Sequence, residues 1–190
     1  MKIGLYFGSF NPVHNGHMVI AGYMAEYTDL DQVWFIVSPH NPHKLKQTLL
    51  QDHHRLAMVK IAIGDFRKMK ASDIEFKLPK PSYTIHTLAY LFEKYPEHTY
   101  ALILGSDNLE TFTKWKNYEQ ILEQVELYVY PRKNMAPCEL SSHPKVKMVD
   151  APLMELSSSF IREAIRTKKD VRYMMPEKVW EYIDEMNFYK

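Results

Sequence analysis

This chain of 190 residues is short of four things, and each shortage removes a class of protein. It has one cysteine, Cys138, which excludes an internal disulfide framework and a cysteine-built zinc cage. It has only six glycines, and none of them forms a G-x-G-x-x-G dinucleotide fingerprint or a G-K-[ST] phosphate loop. Net charge is nearly absent, because 24 Lys and Arg face 23 Asp and Glu. That argues against a basic nucleic-acid coat and an acidic tail, so any anion must be held by a local site rather than a global field. No apolar run approaches the ~18–20 residues that span a bilayer. No small-residue cleavage site follows the start. The expectation is a cytoplasmic, reduced protein with neither a membrane nor a nucleic acid as partner.

What is present is an ordinary globular composition, 46% hydrophobic and 25% charged. At roughly 100–200 residues per domain, one domain over 1–190 is expected, with 156–190 as a helical C-terminal part. Apolar runs at Ile3–Phe7, Val33–Val37, Thr99–Leu104 and Leu127–Tyr130 read as buried strands. Ala71–Phe76 is a further strand candidate, and Val146–Val149 an edge strand. Helical spacing appears at Ile20, Tyr23, Met24 and Tyr27. It recurs at Leu56, Val59 and Ile63 behind a candidate cap at Asp52, and at Ile85, Leu88, Leu91 and Phe92 after Ser82. Residues 107–124 read as broken helix and 157–167 as a short one. Pro176 suits the first turn of a last helix through Val179, Ile183 and Met186. Strands alternating with helices predict an α/β, Rossmann-like, doubly wound parallel sheet with helices on both faces. In such sheets ligands sit beyond the carboxyl ends of the strands, so function belongs in the loops there.

The first of those loops runs from Gly8 to His17, GSFNPVHNGH. Gly8 would let backbone approach a ligand, and Gly16 spares a Cβ where the helix begins. A helix start presents unpaired N–H groups to anions. His14 and His17, three apart, share a face and can donate to phosphate oxygens. From the residues alone, a tight turn with two exposed histidines explains the run as well. The second feature is Ser157-Ser158-Ser159-Phe160-Ile161-Arg162. With Ser159 as cap, Arg162 lies near the positive end of the helix macrodipole, a penalty of ~0.3–1 kcal/mol that an anion would offset. A capped surface helix with a solvated arginine fits equally well. His53-His54 reads as a surface pair.

The first run resembles the G-x-F-x-P-x-H-x-G-H signature of the nucleotidyltransferase superfamily. The second resembles its S-S-T-x-I-R motif, with Ser159 keeping the threonine's hydroxyl. Within the superfamily, nearly the whole chain looks like the bacterial nicotinate-nucleotide adenylyltransferases. Asn41-Pro42-His43-Lys44 matches P-P-H-K and Pro81-Ser82-Tyr83-Thr84 matches P-S-Y-T. Gly105-Ser106-Asp107 matches G-x-D, with Trp115 following, and Asn187-Phe188-Tyr189 resembles the N-G-L-Y close. Phe7, Ser9 and Asn11 depart from the family's Gly, Thr and Asp, and Arg132-Lys133-Asn134 departs from its R-P-G.

The resemblance implies transfer of AMP from ATP to nicotinate mononucleotide in NAD biosynthesis. His14, His17 and Arg162 would be catalytic. Gly8, Ser9, Phe10, Gly16, Lys44, Gly105, Asp107, Ser158 and Ser159 would bind ATP. Tyr83, Thr84 and Trp115 would hold the mononucleotide, with backbone N–H groups at residues 83–84 reading the carboxylate and favouring acid over amide. Mg2+ would arrive with ATP, and no dedicated metal site is expected. A homo-oligomer is left open. Phosphopantetheine adenylyltransferase, a cytidylyltransferase and a non-catalytic nucleotide-sensing module are the competing assignments.

Overall fold

The computed structural model describes residues 1–39, 49–133 and 138–190. Six parallel strands form one sheet: β1 (Lys2–Gly8), β2 (Gln32–Val37), β3 (Met69–Ser72), β4 (Thr99–Gly105), β5 (Glu126–Tyr130) and β6 (Val146–Met148). Their order is β3-β2-β1-β4-β5-β6. β1 pairs with β2 on one side and β4 on the other, so the winding reverses between β1 and β4. That reversal opens a crevice at the carboxyl ends of these two strands.

Side-chain alternation in the central strands feeds two cores, one on each face. Tyr6, Phe35, Ala101, Ile103 and Tyr128 face one core. Leu5, Trp34, Ile36, Leu102, Leu104 and Leu127 face the other. The first core is covered by α1 (Asn15–Tyr27) through Ile20 and Met24, and by α2 (Asp52–Ile63) through Met58 and Val59. The second is covered by α3 (Thr84–Lys94), α4 (Ser106–Glu110) and α5 (Tyr118–Gln124). Each fully buried Leu or Ile contributes roughly 1.5–3 kcal/mol of transfer free energy.

α6 (Ser158–Arg166) and α7 (Glu177–Glu185) join the first core through Ile161, Ile165, Val179 and Ile183. They cover a sheet face instead of extending beyond it, which is how residues near 160 reach the loop after β1.

Several local expectations need correction. Ala71–Phe76 is not one strand. β3 ends at Ser72 and a 3-10 turn spans Ile74–Lys77, because the third strand has only β2 to pair with. Tyr27 is 76% exposed and Met186 42%, so both fall off their predicted apolar faces. Asp52 does not cap α2. Gln51 precedes it, and the Asp52 carboxylate instead takes a 2.6 Å hydrogen bond from Arg55. His53 is exposed and His54 half-buried, with His54 Nδ1 2.8 Å from the Tyr182 hydroxyl of α7.

Candidate active site

The crevice is built around the loop from Gly8 to His17. His14 caps α1, is 4% exposed, and stacks on His17 with ring centroids 3.7 Å apart. The His14 backbone N–H donates to His17 Nδ1 at 3.2 Å. In the neutral imidazole this puts the His17 proton on Nε2 and leaves an N–H donor on the far side of the ring. Burial, helped by the nearby Arg132 charge, lowers the His14 pKa to about 4. His14 is therefore neutral at pH 7. Its Nδ1 is buried and meets no hydrogen-bond partner among the described residues.

The glycines and Phe10 are held by close packing around the two histidines. A Cβ on Gly16 would come within 3.0 Å of the His14 imidazole, so this glycine makes room for that ring. A Cβ on Gly8 would come within 2.8 Å of the Phe10 ring, so packing alone already requires a glycine there. Phe10 has φ +46° and is 1% exposed. Its ring meets His17 edge-on at 5.1 Å and packs on Tyr6 and Phe35. Its side chain packs beneath His17. The left-handed backbone there turns the loop over the end of β1.

α6 meets this loop directly. Ser158 Oγ donates to the Pro12 carbonyl at 2.9 Å, and Arg162 Nη1 donates to the Asn11 carbonyl at 2.8 Å. The cap is Ser157, whose hydroxyl accepts from Phe160 N–H at 3.2 Å; neither Ser158 nor Ser159 caps the helix. Ser159 instead accepts a 3.3 Å bond from Arg162 Nη2. Arg162 thus sits two residues further in than expected, and contact with the loop, rather than the macrodipole, accounts for its place.

The corner after β4 supplies Gly105, Ser106 and Asp107. A Cβ on Gly105 would collide with the Asp107 carboxylate and approach Arg132 Nε at 3.2 Å. Arg132, just past β5, donates to the Met154 carbonyl at 3.1 Å and the Tyr130 hydroxyl at 3.3 Å, and lies 3.8 Å from Asp107. Its Nε is buried and meets no hydrogen-bond partner among the described residues. Tyr83 precedes α3 and Thr84 opens it. Trp115 is half-buried against Phe112, with centroids 5.0 Å apart. Lys44, with Asn41, Pro42 and His43, lies outside the described residues.

Four supporting residues escaped the sequence reading. Arg55 is fully buried and donates to the carbonyls of Ser9 (2.7 Å), Ser38 (2.8 Å), Leu50 (3.0 Å) and Pro39 (3.3 Å). It clamps the loops after β1 and β2 to the start of α2. Its signal was a charge on the apolar stripe it shares with Met58 and Val59. Tyr189 donates to Asn11 Oδ1 at 2.7 Å, which also accepts from Leu50 N–H at 3.3 Å. Burial drives the Tyr189 pKa far up, so it remains a donor. Glu75 is buried and accepts from Thr87 at 2.8 Å and Ser82 at 3.0 Å, anchoring the start of α3. Burial raises its pKa above the usual carboxylate range. Arg132 is the fourth.

The family described as cytidylyltransferase-like matches residues 5–164, most of the chain, and the protein is a nucleotidyltransferase of that family. Among its relatives, a probable nicotinate-nucleotide adenylyltransferase of Flavobacterium johnsoniae is 58% identical, with all of both chains covered. One of Bacteroides thetaiotaomicron is 46% identical over 97% of this chain and 92% of its own. The chain belongs to the nicotinate-nucleotide adenylyltransferase family. Its fold is similar to that of Plasmodium falciparum nicotinic acid mononucleotide adenylyltransferase, at TM-score 0.82, 22% identity and 99% and 97% coverage of the two chains. Among the described residues no helix is long and apolar enough to cross a membrane.

Proposed function

We propose that this enzyme, acting as one domain, transfers AMP from ATP to the phosphate of nicotinate mononucleotide, forming deamido-NAD and releasing pyrophosphate. The observation that carries the assignment of sites is the pair of hydrogen bonds joining α6 to the histidine loop. Two polyphosphate-binding motifs separated by more than a hundred residues thereby converge on one crevice. The names of the relatives support the acceptor.

The acceptor phosphate is already ionised near pH 7, so no strong base is required. Catalysis is in-line positioning and stabilisation of charge on the α-phosphorus oxygens. His17 donates from Nε2 to the transition-state oxygens, and neutral His14 supports it. Arg162, with Ser158 and Ser159, grips the β- and γ-phosphates, and Ser9 and Lys44 contribute to the same subsite. Gly105, Asp107 and Arg132 border the nucleotide, while Tyr83, Thr84 and Trp115 hold the pyridine. Among the described residues no three His, Cys, Asp or Glu side chains cluster to hold a metal. In this assignment Mg2+ is carried by the ATP phosphates with its own waters, where it neutralises charge on the departing pyrophosphate.

The test is pyrophosphate release with MgATP and nicotinate mononucleotide, nicotinamide mononucleotide or phosphopantetheine. Turnover is expected with the first and weakly with the second. Turnover with phosphopantetheine alone would overturn the assigned acceptor.

A further inference from the structure

Lys116 follows Trp115 and reaches across to α3. Its Nζ lies 4.7 Å from the centre of the Tyr83 ring and 3.4 Å from His86 Nε2. Tyr83 and His86 themselves meet edge-on at 5.6 Å. An ammonium has three donors and no acceptor, so in this contact Lys116 is the donor and His86 Nε2 the acceptor. One ammonium proton points to His86 and the aromatic face takes part of the charge, which leaves donor capacity over.

The acid nearest Lys116 in sequence, Glu119 in the first turn of α5, is exposed and accepts from the Tyr118 hydroxyl at 3.4 Å. The first turn of α3 contains no acidic residue. The acid packed behind that turn, Glu75, already accepts from Ser82 and Thr87, and burial disfavours its charged form. A cation in this place is also opposed by the helix macrodipole. An incoming carboxylate would relieve both conditions, and a carboxamide would relieve neither.

We propose that Lys116 makes this site select a ring carboxylate over a carboxamide in the mononucleotide. The inference rests on the acceptor assigned above and names the side chain behind its specificity. It adds a charged donor to the backbone N–H groups expected at residues 83–84.

The test compares kcat/KM for nicotinate and nicotinamide mononucleotides. Lys116→Met keeps the aliphatic stem on Tyr83 and removes the charge. KM for the acid should rise about 10-fold, with kcat nearly unchanged, because a charge-assisted bond is lost only there. KM for the amide should stay constant, and Lys116→Arg should restore acid selectivity. Lys116→Glu should move the preference toward the amide. An acid-to-amide ratio in Lys116→Met equal to wild type overturns the proposal, as does an equal loss on both substrates, which a structural role would give. Wild-type enzyme inactive on both mononucleotides would overturn the acceptor assignment too, whereas the ratio test removes Lys116 alone.

Discussion

The two ends of the sheet treat charge in opposite ways. At the amino end, Lys2 Nζ lies 2.7 Å from Asp29 and 2.5 Å from Glu126, and Lys147 Nζ lies 3.1 Å from Glu126. Tyr128 also bonds Asp29, beside both lysines. Two cations and two carboxylates satisfy each other there. Although partial burial opposes it, bonds to Asp29, Glu126 and Tyr128 raise the Lys2 pKa, and Lys2 in turn lowers that of Asp29. At the carboxyl end, Arg162, Arg132 and Arg55 donate mainly to backbone carbonyls. Asp52 and Asp107 offset only part of that charge. Carbonyls orient a guanidinium without neutralising it, so one end is electrically closed and the other awaits an anion. The near-zero net charge of the chain conceals this division.

The contrast can be broken at several places, the largest effect first. Arg55→Met should cost about 3–5 kcal/mol in urea unfolding, because four backbone carbonyls and the Asp52 carboxylate lose a buried donor. A loss below 1 kcal/mol would mean that the two loops hold without the clamp. His17→Ala should lower kcat about 10²–10³-fold with little change in KM, as for a group that acts on transition-state charge. A pure KM effect would make His17 a ground-state ligand.

His14 offers a test by pH. Its folded pKa, about 4, lies below the ordinary histidine value of 6.5. Between these values the unfolded chain takes up a proton that the folded one refuses, so stability is present above 6.5 and drains away toward pH 4. At ~1.4 kcal/mol per pKa unit, the loss from this group is at most about 3 kcal/mol. His14→Gln should flatten that part of the pH–stability curve. An unchanged slope would place the acid sensitivity elsewhere. The smallest effect belongs to the amino end. Lys147→Met removes a partly exposed ion pair and should cost about 0–1 kcal/mol, leaving kcat unchanged. A fall in kcat would connect the two ends.

Both motifs and most of the strands were legible because each depends on a short stretch of chain. Apolar runs mark buried parallel strands, and the 3.6-residue spacing marks α1, α3 and α7. The errors lie where a partner distant in sequence decides. Asp52 was read as a cap because Arg55's demand for its carboxylate could not be seen locally. Tyr27 and Met186 fit the period of their helices but stand at the helix ends, where they stay exposed. Ser157 and Ser159 are equivalent caps on paper, and only the seating of Ser158 on Pro12 separates them.

The order of residues by itself determined the alternation of strand and helix, the absence of a disulfide framework, and the placing of two histidines at the start of α1. Tertiary structure decided that α6 docks on the histidine loop, that Gly8 and Gly16 accommodate rings, and that Arg55 and Arg132 belong to the site. The physical reason is range. Backbone periodicity is set by neighbours a few residues away, whereas the partner of a buried charge is chosen by whichever segment the closing core brings beside it.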